Sequence, residues 1–413
     1  MATGLKNLLA VSWAMPPMLF PRSIQVSRLL GALEKQGWKI TVVCSDPRSS
    51  GNLDPSLEEL YADRYETVCV AADGSKVPDD ALMSSWLKPA LKEVKRQLST
   101  RKYSALITFA QPWVDHLIGL EARPANIPWI AHFSDPWVDS PYYVGFGEGQ
   151  MNHWRKMEYE VIRHADMILF TNAQAVELVM NKYPKLWKEK TRVIPHAFDS
   201  DLAMTMCREI KHDGRLRMIY IGDLYKGRSA EGFLRALSLL FQTRPLAQEL
   251  QVQLIGRIAE EDPRLSETLK LQEIVQFGDQ LPYLESLKKT AQCDVLLLID
   301  APTAIPSPFL PSKLIDYLVF GKPIFGLTDA GGASADVLMK LGFSIAPPDD
   351  VPAIAGALNT LLDAWQAGSL ETSPHYEEVV SHYTSQNVGA LFDQALQDAI
   401  AVRLPKPWWW AWS

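Results

Sequence analysis

Leu216-Arg-Met-Ile-Tyr-Ile-Gly-Asp-Leu-Tyr-Lys-Gly-Arg-Ser-Ala-Glu-Gly-Phe-Leu-Arg-Ala-Leu-Ser-Leu-Leu-Phe241 opens on a run of apolar residues and turns at Gly222. It then enters a segment with Phe233, Leu234, Leu237, Leu240 and Phe241 at three- and four-residue spacings. A strand-like run giving way to helical periodicity across one glycine marks a strand-turn-helix unit. The pattern continues through Val252 to Ile255, Ile274 to Phe277, Val295 to Ile299, Pro323 to Leu327 and Phe343 to Ile345. The same order appears earlier in the chain. Leu8 to Trp13 leads through a Pro-rich turn into a helical segment with Leu29, Leu30 and Leu33 on one face, which stops at Gly37 before Lys39 to Cys44. Ser104 to Phe109, Trp129 to His132, Met167 to Thr171 and Arg192 to Ile194 follow. Continuous apolar runs alternating with amphipathic helices predict parallel sheets covered on both faces.

The fold class is therefore α/β, with two doubly wound domains over residues 1–198 and 199–384, joined near residues 197–214. A last helix, 385–404, carries Val388, Leu391, Phe392, Ala395 and Leu396 on one face and is expected to pack across the domain junction; a Trp-rich tail occupies 405–413. In such sheets ligands bind where strand C-terminal ends meet a cleft.

Composition narrows the class. A chain of 413 residues exceeds one ordinary core, and 47% hydrophobic with 22% charged residues is typical of a soluble globular protein. With 41 Lys and Arg against 48 Asp and Glu, the net charge of −7 has the wrong sign for a chain that binds nucleic acid. Cys44, Cys69, Cys207 and Cys293 form no metal or disulfide spacing and read as buried thiols in a reducing compartment. The apolar run Leu8 to Phe20, broken by Pro16 and Pro17, makes a poor signal peptide, and no uninterrupted apolar stretch reaches the roughly 18 residues of a membrane span. A cytoplasmic location is expected.

Several catalytic signatures fail. Gly145-Phe-Gly147-Glu-Gly149 follows no strand and reads as a loop rather than a dinucleotide site, and Asp199 with Asp201 suits a hinge or helix cap better than a metal. No zinc-binding histidine pair on a helix, nucleophile elbow or phosphate-binding P-loop occurs. Neither a metal nor a cofactor is expected.

Two stretches carry chemistry. In Pro311-Ser-Lys-Leu-Ile-Asp-Tyr-Leu-Val-Phe-Gly-Lys-Pro323, Ser312 reads as an N-cap, Leu314, Tyr317 and Leu318 form an apolar stripe, and Gly321 ends the helix. The helix start suits a diphosphate, Lys313 adds a point charge, and Asp316 on the same face is suited to accept both hydroxyls of a ribose. The same residues also fit a capped surface helix with an i, i+3 ion pair. At the first strand of the second half, Gly222 allows close backbone approach, and Lys226 and Arg228 stand just before a helix, where Arg228 can fork onto phosphate oxygens. Solvated turn residues are the alternative.

Together these motifs resemble the donor domain of retaining glycosyltransferases of the GT-B fold, glycosyltransferase family 4. Trp129-Ile-Ala-His-Phe-Ser-Asp-Pro-Trp137 and Arg192-Val-Ile-Pro-His-Ala-Phe-Asp199 are similar to that family's N-terminal strand ends. The resemblance implies two Rossmann-like domains facing across a cleft and a nucleoside-diphosphate sugar held by the second domain. It implies a glycan or lipid-linked acceptor on the first domain, and transfer with retention of anomeric configuration. Gly222, Lys226, Arg228, Ser312, Lys313 and Asp316 would bind the donor, and Asp135 and His132 would act on the acceptor hydroxyl or on charge developing at the sugar. His196 reads as structural. Three departures stand out: Pro308 occupies the position of the family's first glutamate, Asp223 replaces a common basic residue, and Met15-Pro-Pro-Met-Leu-Phe-Pro21 replaces a Gly-rich turn. They keep two rivals open, a nucleotide-sugar epimerase of the same fold and a non-catalytic partner-binding subunit. Pro405-Lys-Pro-Trp408-Trp-Trp-Ala-Trp412 suits a peripheral anchor at the inner face of the membrane, a partner groove, or packing onto the chain itself.

Overall fold

In the computed structural model, residues 6–71, 83–142, 145–199, 202, 213–224 and 227–403 are described. They divide into two units, one of 1–197 with 385–413 and one of 198–384. The tail from Trp408 to Trp412 and the positions of Lys226, Asp201 and Cys207 lie outside the described residues.

The first unit holds β1 (Asn7–Val11), β2 (Lys39–Ser45), β3 (Glu66–Val70), β4 (Ala105–Ala110), β5 (Trp129–Phe133), β6 (Met167–Phe170) and β7 (Thr191–Val193). They form a parallel sheet in the order β3-β2-β1-β4-β5-β6-β7. The apolar run at the chain's start becomes β1, the strand from which both halves of this sheet are wound. β3 is the strand the sequence reading passes over. It lies at the sheet edge and is half exposed, so Glu-Thr-Val-Cys-Val alternates where the central strands are continuously apolar. The helix Pro21–Glu34 begins with proline in its first turn, where no backbone donor is needed. The last helix, Ser385–Arg403, belongs to this unit; Val388, Phe392, Ala395 and Leu396 join the core that includes Leu29, Leu30 and Leu33. A Cβ at Gly389 would lie 2.5 Å from the Ala32 carbonyl oxygen, so glycine sets how closely this helix approaches Pro21–Glu34. Leu391, placed by its spacing on the apolar face, is 49% exposed and is not part of that contact.

The second unit repeats the plan with β8 (Leu216–Ile221), β9 (Leu250–Ile255), β10 (Val275–Gly278), β11 (Val295–Ile299), β12 (Ile324–Leu327) and β13 (Ile345–Ala346). Their order, β10-β9-β8-β11-β12-β13, is the doubly wound arrangement in which the winding reverses between β8 and β11. The helix Glu231–Phe241 buries Phe233, Leu234, Ala236, Leu237 and Leu240 against this sheet, while Phe241 is 42% exposed. Each fully buried Leu or Phe adds about 1.5–3 kcal/mol, so this one face is a substantial share of the unit's core. Among the described residues no helix is long and apolar enough to cross a membrane.

Candidate functional site

The reversal point of the second sheet gathers the charged side chains. β8 ends at Ile221 and its neighbour β11 ends at Ile299, so Gly222 and Asp300 each follow directly at the same end of the sheet. Gly222 has φ +137°, a backbone conformation suited to glycine, and a Cβ there would lie 2.5 Å from Lys313 Nζ. Lys313 comes from the first turn of the helix Ser312–Leu318. Its ammonium donates to the Tyr220 hydroxyl at 2.6 Å and lies 3.8 Å from that ring's centroid. The Tyr220 hydroxyl donates in turn to the Asp223 carbonyl at 3.1 Å. Tyr317, one turn further along the same helix, accepts the Ile221 backbone N–H at 3.1 Å, which ties the helix to the end of β8.

The electrostatics follow from crowding. Asp300 is 3% exposed. Burial raises its pKa, opposed first by the Arg228 guanidinium and then by the Ser334 and Thr328 hydroxyls and Lys313. Lys313 moves the other way: burial takes it well below the usual lysine range, Arg228 lowers it further, and Asp300 and Asp223 oppose the shift. Asp223 is bound to Arg257, accepting from its backbone N–H at 3.1 Å and its Nε at 3.0 Å. Arg257 follows Gly256 at the end of β9 and supplies a third cation. Arg228, Lys313 and Arg257 thus face Asp223 and Asp300 at this end of the sheet, and an anion bound here would favour the charged form of Lys313.

Of the residues selected from the sequence, Gly222, Arg228 and Lys313 are brought together here. Ser312 is not the N-cap: Pro311 holds that position in an extended conformation with no side-chain cap, and Ser312 is the first helical residue. Proline's fixed φ and absent N–H suit it to the boundary, so the helix begins one residue earlier than the serine signal suggests. Asp316 sits partly buried on the helix beside Tyr317. Pro308 lies in the loop between Asp300 and Ser312. Sequence reasoning missed Asp300 and Arg257. Both had a signal, since one is an acid directly after the apolar run Val295 to Ile299 and the other a Gly-Arg pair directly after Val252 to Ile255.

The first unit holds a second polar cluster at the end of β5. His132 lies inside that strand, 0% exposed, with its ring 5.1 Å from that of Phe109. Its ring is therefore enclosed rather than presented to solvent. Neither of its ring nitrogens has a hydrogen-bond partner among the described residues. Burial, reinforced by Arg22, lowers its pKa to about 3, so the imidazole is neutral near pH 7. Asp135, two residues beyond the strand, keeps 31% of its side chain exposed, accepts from the Ser134 hydroxyl at 3.0 Å and stands 3.9 Å from Arg22 Nη2. Arg22 contacts the Ser134 hydroxyl and is itself buried, which lowers its pKa to about 10. It was not selected from the sequence, where Pro21-Arg22 reads only as a helix start. His196 is also buried; desolvation, then Arg22, His132 and Arg28, hold its pKa well below the usual range.

Comparison with known proteins agrees with this architecture. Residues 23–197 match the family described as a glycosyl transferase 4-like domain. No curated protein matches the sequence. Among solved structures, sucrose-phosphate synthase from Thermosynechococcus elongatus is 18% identical with a TM-score of 0.73, covering 96% of this chain and 100% of that one. A glycosyltransferase from Rickettsia africae is 11% identical with a TM-score of 0.65, covering 98% and 100%. A UDP-N-acetylglucosamine 2-epimerase from Listeria monocytogenes, so described only provisionally, is 10% identical with a TM-score of 0.63, covering 96% and 97%. The chain thus has the GT-B fold of two Rossmann-like domains, and its residues 23–197 carry the sequence pattern of a glycosyl transferase 4-like domain.

Proposed function

We propose that the chain is a glycosyltransferase that moves a sugar from a nucleoside diphosphate to a glycan or lipid-linked acceptor with retention of configuration. The observation that carries this reading is the seating of Lys313 against Gly222 and the Tyr220 hydroxyl at the reversal point of the second sheet, within electrostatic reach of Arg228 and Asp300. A diphosphate would supply the negative charge that this cluster lacks. As the glycosidic bond breaks, charge grows on the leaving phosphate, and fixed cations held in a partly dry site stabilise that growth more than they stabilise the bound donor. Gly222 leaves room for Lys313 and for close approach of the backbone, and Asp316 takes the ribose hydroxyls. The cations do this work without an obligatory metal. On the acceptor side, Asp135 has an exposed carboxylate edge to orient a hydroxyl, while His132, neutral and enclosed, is a positioning residue behind it. Attack on the face that the diphosphate leaves lets the departing phosphate take the hydroxyl proton, which accounts for retention without a covalent nucleophile.

A thermal-shift series of nucleoside diphosphates and their sugar conjugates tests the reading. A ligand at about 100 times its Kd adds about 2.7 kcal/mol of stability. Arg228→Ala should abolish that shift and lower turnover by about 10²-fold or more. Wild-type turnover in Arg228→Ala would remove this residue from the mechanism. Incubation of labelled donor without acceptor separates transfer from epimerisation, since an epimerised nucleotide sugar in that tube favours the second activity.

A further inference from the structure

β2 and β3 pair in parallel with Cys44 directly opposite Cys69, and the two sulfurs stand 3.7 Å apart. The sequence reading expects buried, unconnected thiols, but only part of that holds. Cys44 is enclosed with Leu8, Ala10, Val42 and Ile107, whereas Cys69 on the edge strand is exposed. Neighbouring strands lie about 4.8 Å apart, inside the roughly 4.4–6.8 Å of Cα separation that disulfides span, so side-chain rotation suffices to join these sulfurs.

We infer that Cys69 and Cys44 form a peroxide-responsive thiol pair, with Cys69 as the sulfur that is oxidised and Cys44 as the one that resolves it to an intramolecular disulfide. The Cys69 thiolate attacks one oxygen of hydrogen peroxide; the O–O bond breaks, hydroxide leaves, and Cys69 becomes a sulfenic acid. The Cys44 sulfur then attacks the Cys69 sulfur, the S–O bond breaks, and water leaves with the proton from Cys44. Two electrons pass from the thiol pair to peroxide, which ends as water.

The division of labour follows from the surroundings. The Cys44 thiol donates to Cys69 and draws it below the usual thiol range; desolvation and Asp46 oppose this, and Arg48 assists. The proton stays on Cys44, whose own pKa is raised by that hydrogen bond and by burial. An exposed sulfur with thiolate character beside a protonated partner is the arrangement that oxidation selects. Cys293 supplies the contrast: it is buried, its pKa is pushed up to about 11, and its thiol donates to the Lys289 carbonyl at 3.5 Å. The bond would fasten the edge strand β3 to β2, and Cys44 would stop Cys69 from passing to higher oxidation states.

The test treats the full chain, with Cys207→Ser and Cys293→Ser as background, with hydrogen peroxide, unfolds it in denaturant so that the enclosed Cys44 is reachable, and then alkylates it with iodoacetamide. The expected result is loss of both alkylation sites, a peptide linking Cys44 to Cys69, and recovery of both thiols with dithiothreitol. In Cys44→Ser the reaction should stop at a sulfenic acid that dimedone captures on Cys69. The proposal is overturned if both thiols remain open to alkylation after peroxide, if dimedone labels Cys69 equally with Cys44 present, or if the linked peptide joins two chains. The first and third readouts need no Cys44 variant and so do not depend on its folding.

Discussion

The unfolding free energy of the first unit should fall as pH drops from 6.5 toward 5, with His132 alone contributing about 1.4 kcal/mol per pH unit to the fall. Three histidines set this slope. His132 has its pKa lowered to about 3, and His116 and His196 lie well below 6.5, each chiefly because burial disfavours the charged ring. A base with a depressed folded pKa contributes stability that is present above its unfolded value of 6.5 and is lost as pH falls toward the folded value. In this window His132 takes up a proton only on unfolding, and the downward shifts of His116 and His196 act in the same direction. Asp115 opposes them. It is fully buried, accepts from the Trp13 backbone N–H at 2.8 Å and from Trp86 Nε1 at 2.5 Å, and burial raises its pKa from 3.8 to about 7. An acid with a raised folded pKa contributes stability that is complete below 3.8 and lost as pH rises through 7. His132 and Asp115 therefore offset each other at about 1.4 kcal/mol per pH unit each, and the downward shifts of His116 and His196 give the loss of stability toward acid its sign.

Between pH 6.5 and 4.5 the His132 share alone reaches about 2–3 kcal/mol, a large fraction of the stability of a typical domain. Urea unfolding followed by tryptophan fluorescence at pH 7, 6 and 5 measures the slope, because Trp13, Trp38, Trp86, Trp129 and Trp137 are all buried in this unit. His132→Leu should lower the slope by about 1.4 kcal/mol per pH unit while costing little at pH 7, since neither ring nitrogen of His132 has a partner to lose among the described residues. Stability that stays flat from pH 7 to 5, or an unchanged slope in His132→Leu, would refute the assignment of these histidines as buried neutral bases.

Two substitutions probe the packing and the candidate site. Gly222→Ala places a Cβ 2.5 Å from Lys313 Nζ at a φ of +137° and should destabilise the second unit by about 1–3 kcal/mol while weakening the thermal shift from nucleoside diphosphates. Denaturant titration with and without ligand reads both effects. Phe392→Ala empties a fully buried position between Ser385–Arg403 and the first unit's core and should cost about 3–5 kcal/mol, read as a lower urea midpoint at unchanged m-value.

Periodicity made the two sheets legible. Central strands such as Val295–Ile299 are covered on both faces, so they appear as unbroken apolar runs that no loop imitates. β3 escaped because an edge strand is covered less, and its alternating residues resemble a polar loop. Cys69 was misjudged for the same reason: its burial depends on a strand position that the sequence did not reveal. His132 was placed at the right strand end, but whether its ring meets solvent depends on Arg22 and Phe109, residues more than 20 positions away in the chain. Local sequence thus located strand ends and turn chemistry, while exposure and charge pairing were set by neighbours that only the tertiary structure supplies.

Asp223 shows how that distinction bears on function. Read along the chain, an acid beside Gly222 subtracts from the positive charge that a diphosphate needs. In the fold it holds Arg257 through the backbone and the guanidinium, so the acid recruits a cation from the end of the neighbouring strand β9. Gly256 makes this possible, because a Cβ there would lie 2.2 Å from the Gly222 carbonyl oxygen. The two glycine turns can therefore stack, and the Asp223–Arg257 pair is neutral overall, so the acid takes no charge away from Arg228 and Lys313. Where a doubly wound sheet reverses, adjacent strands end side by side and the loops that follow them share one electrostatic neighbourhood. The charge available to a ligand is then a property of β8, β9 and β11 together, and a departure in one loop has to be weighed against what it draws from the next.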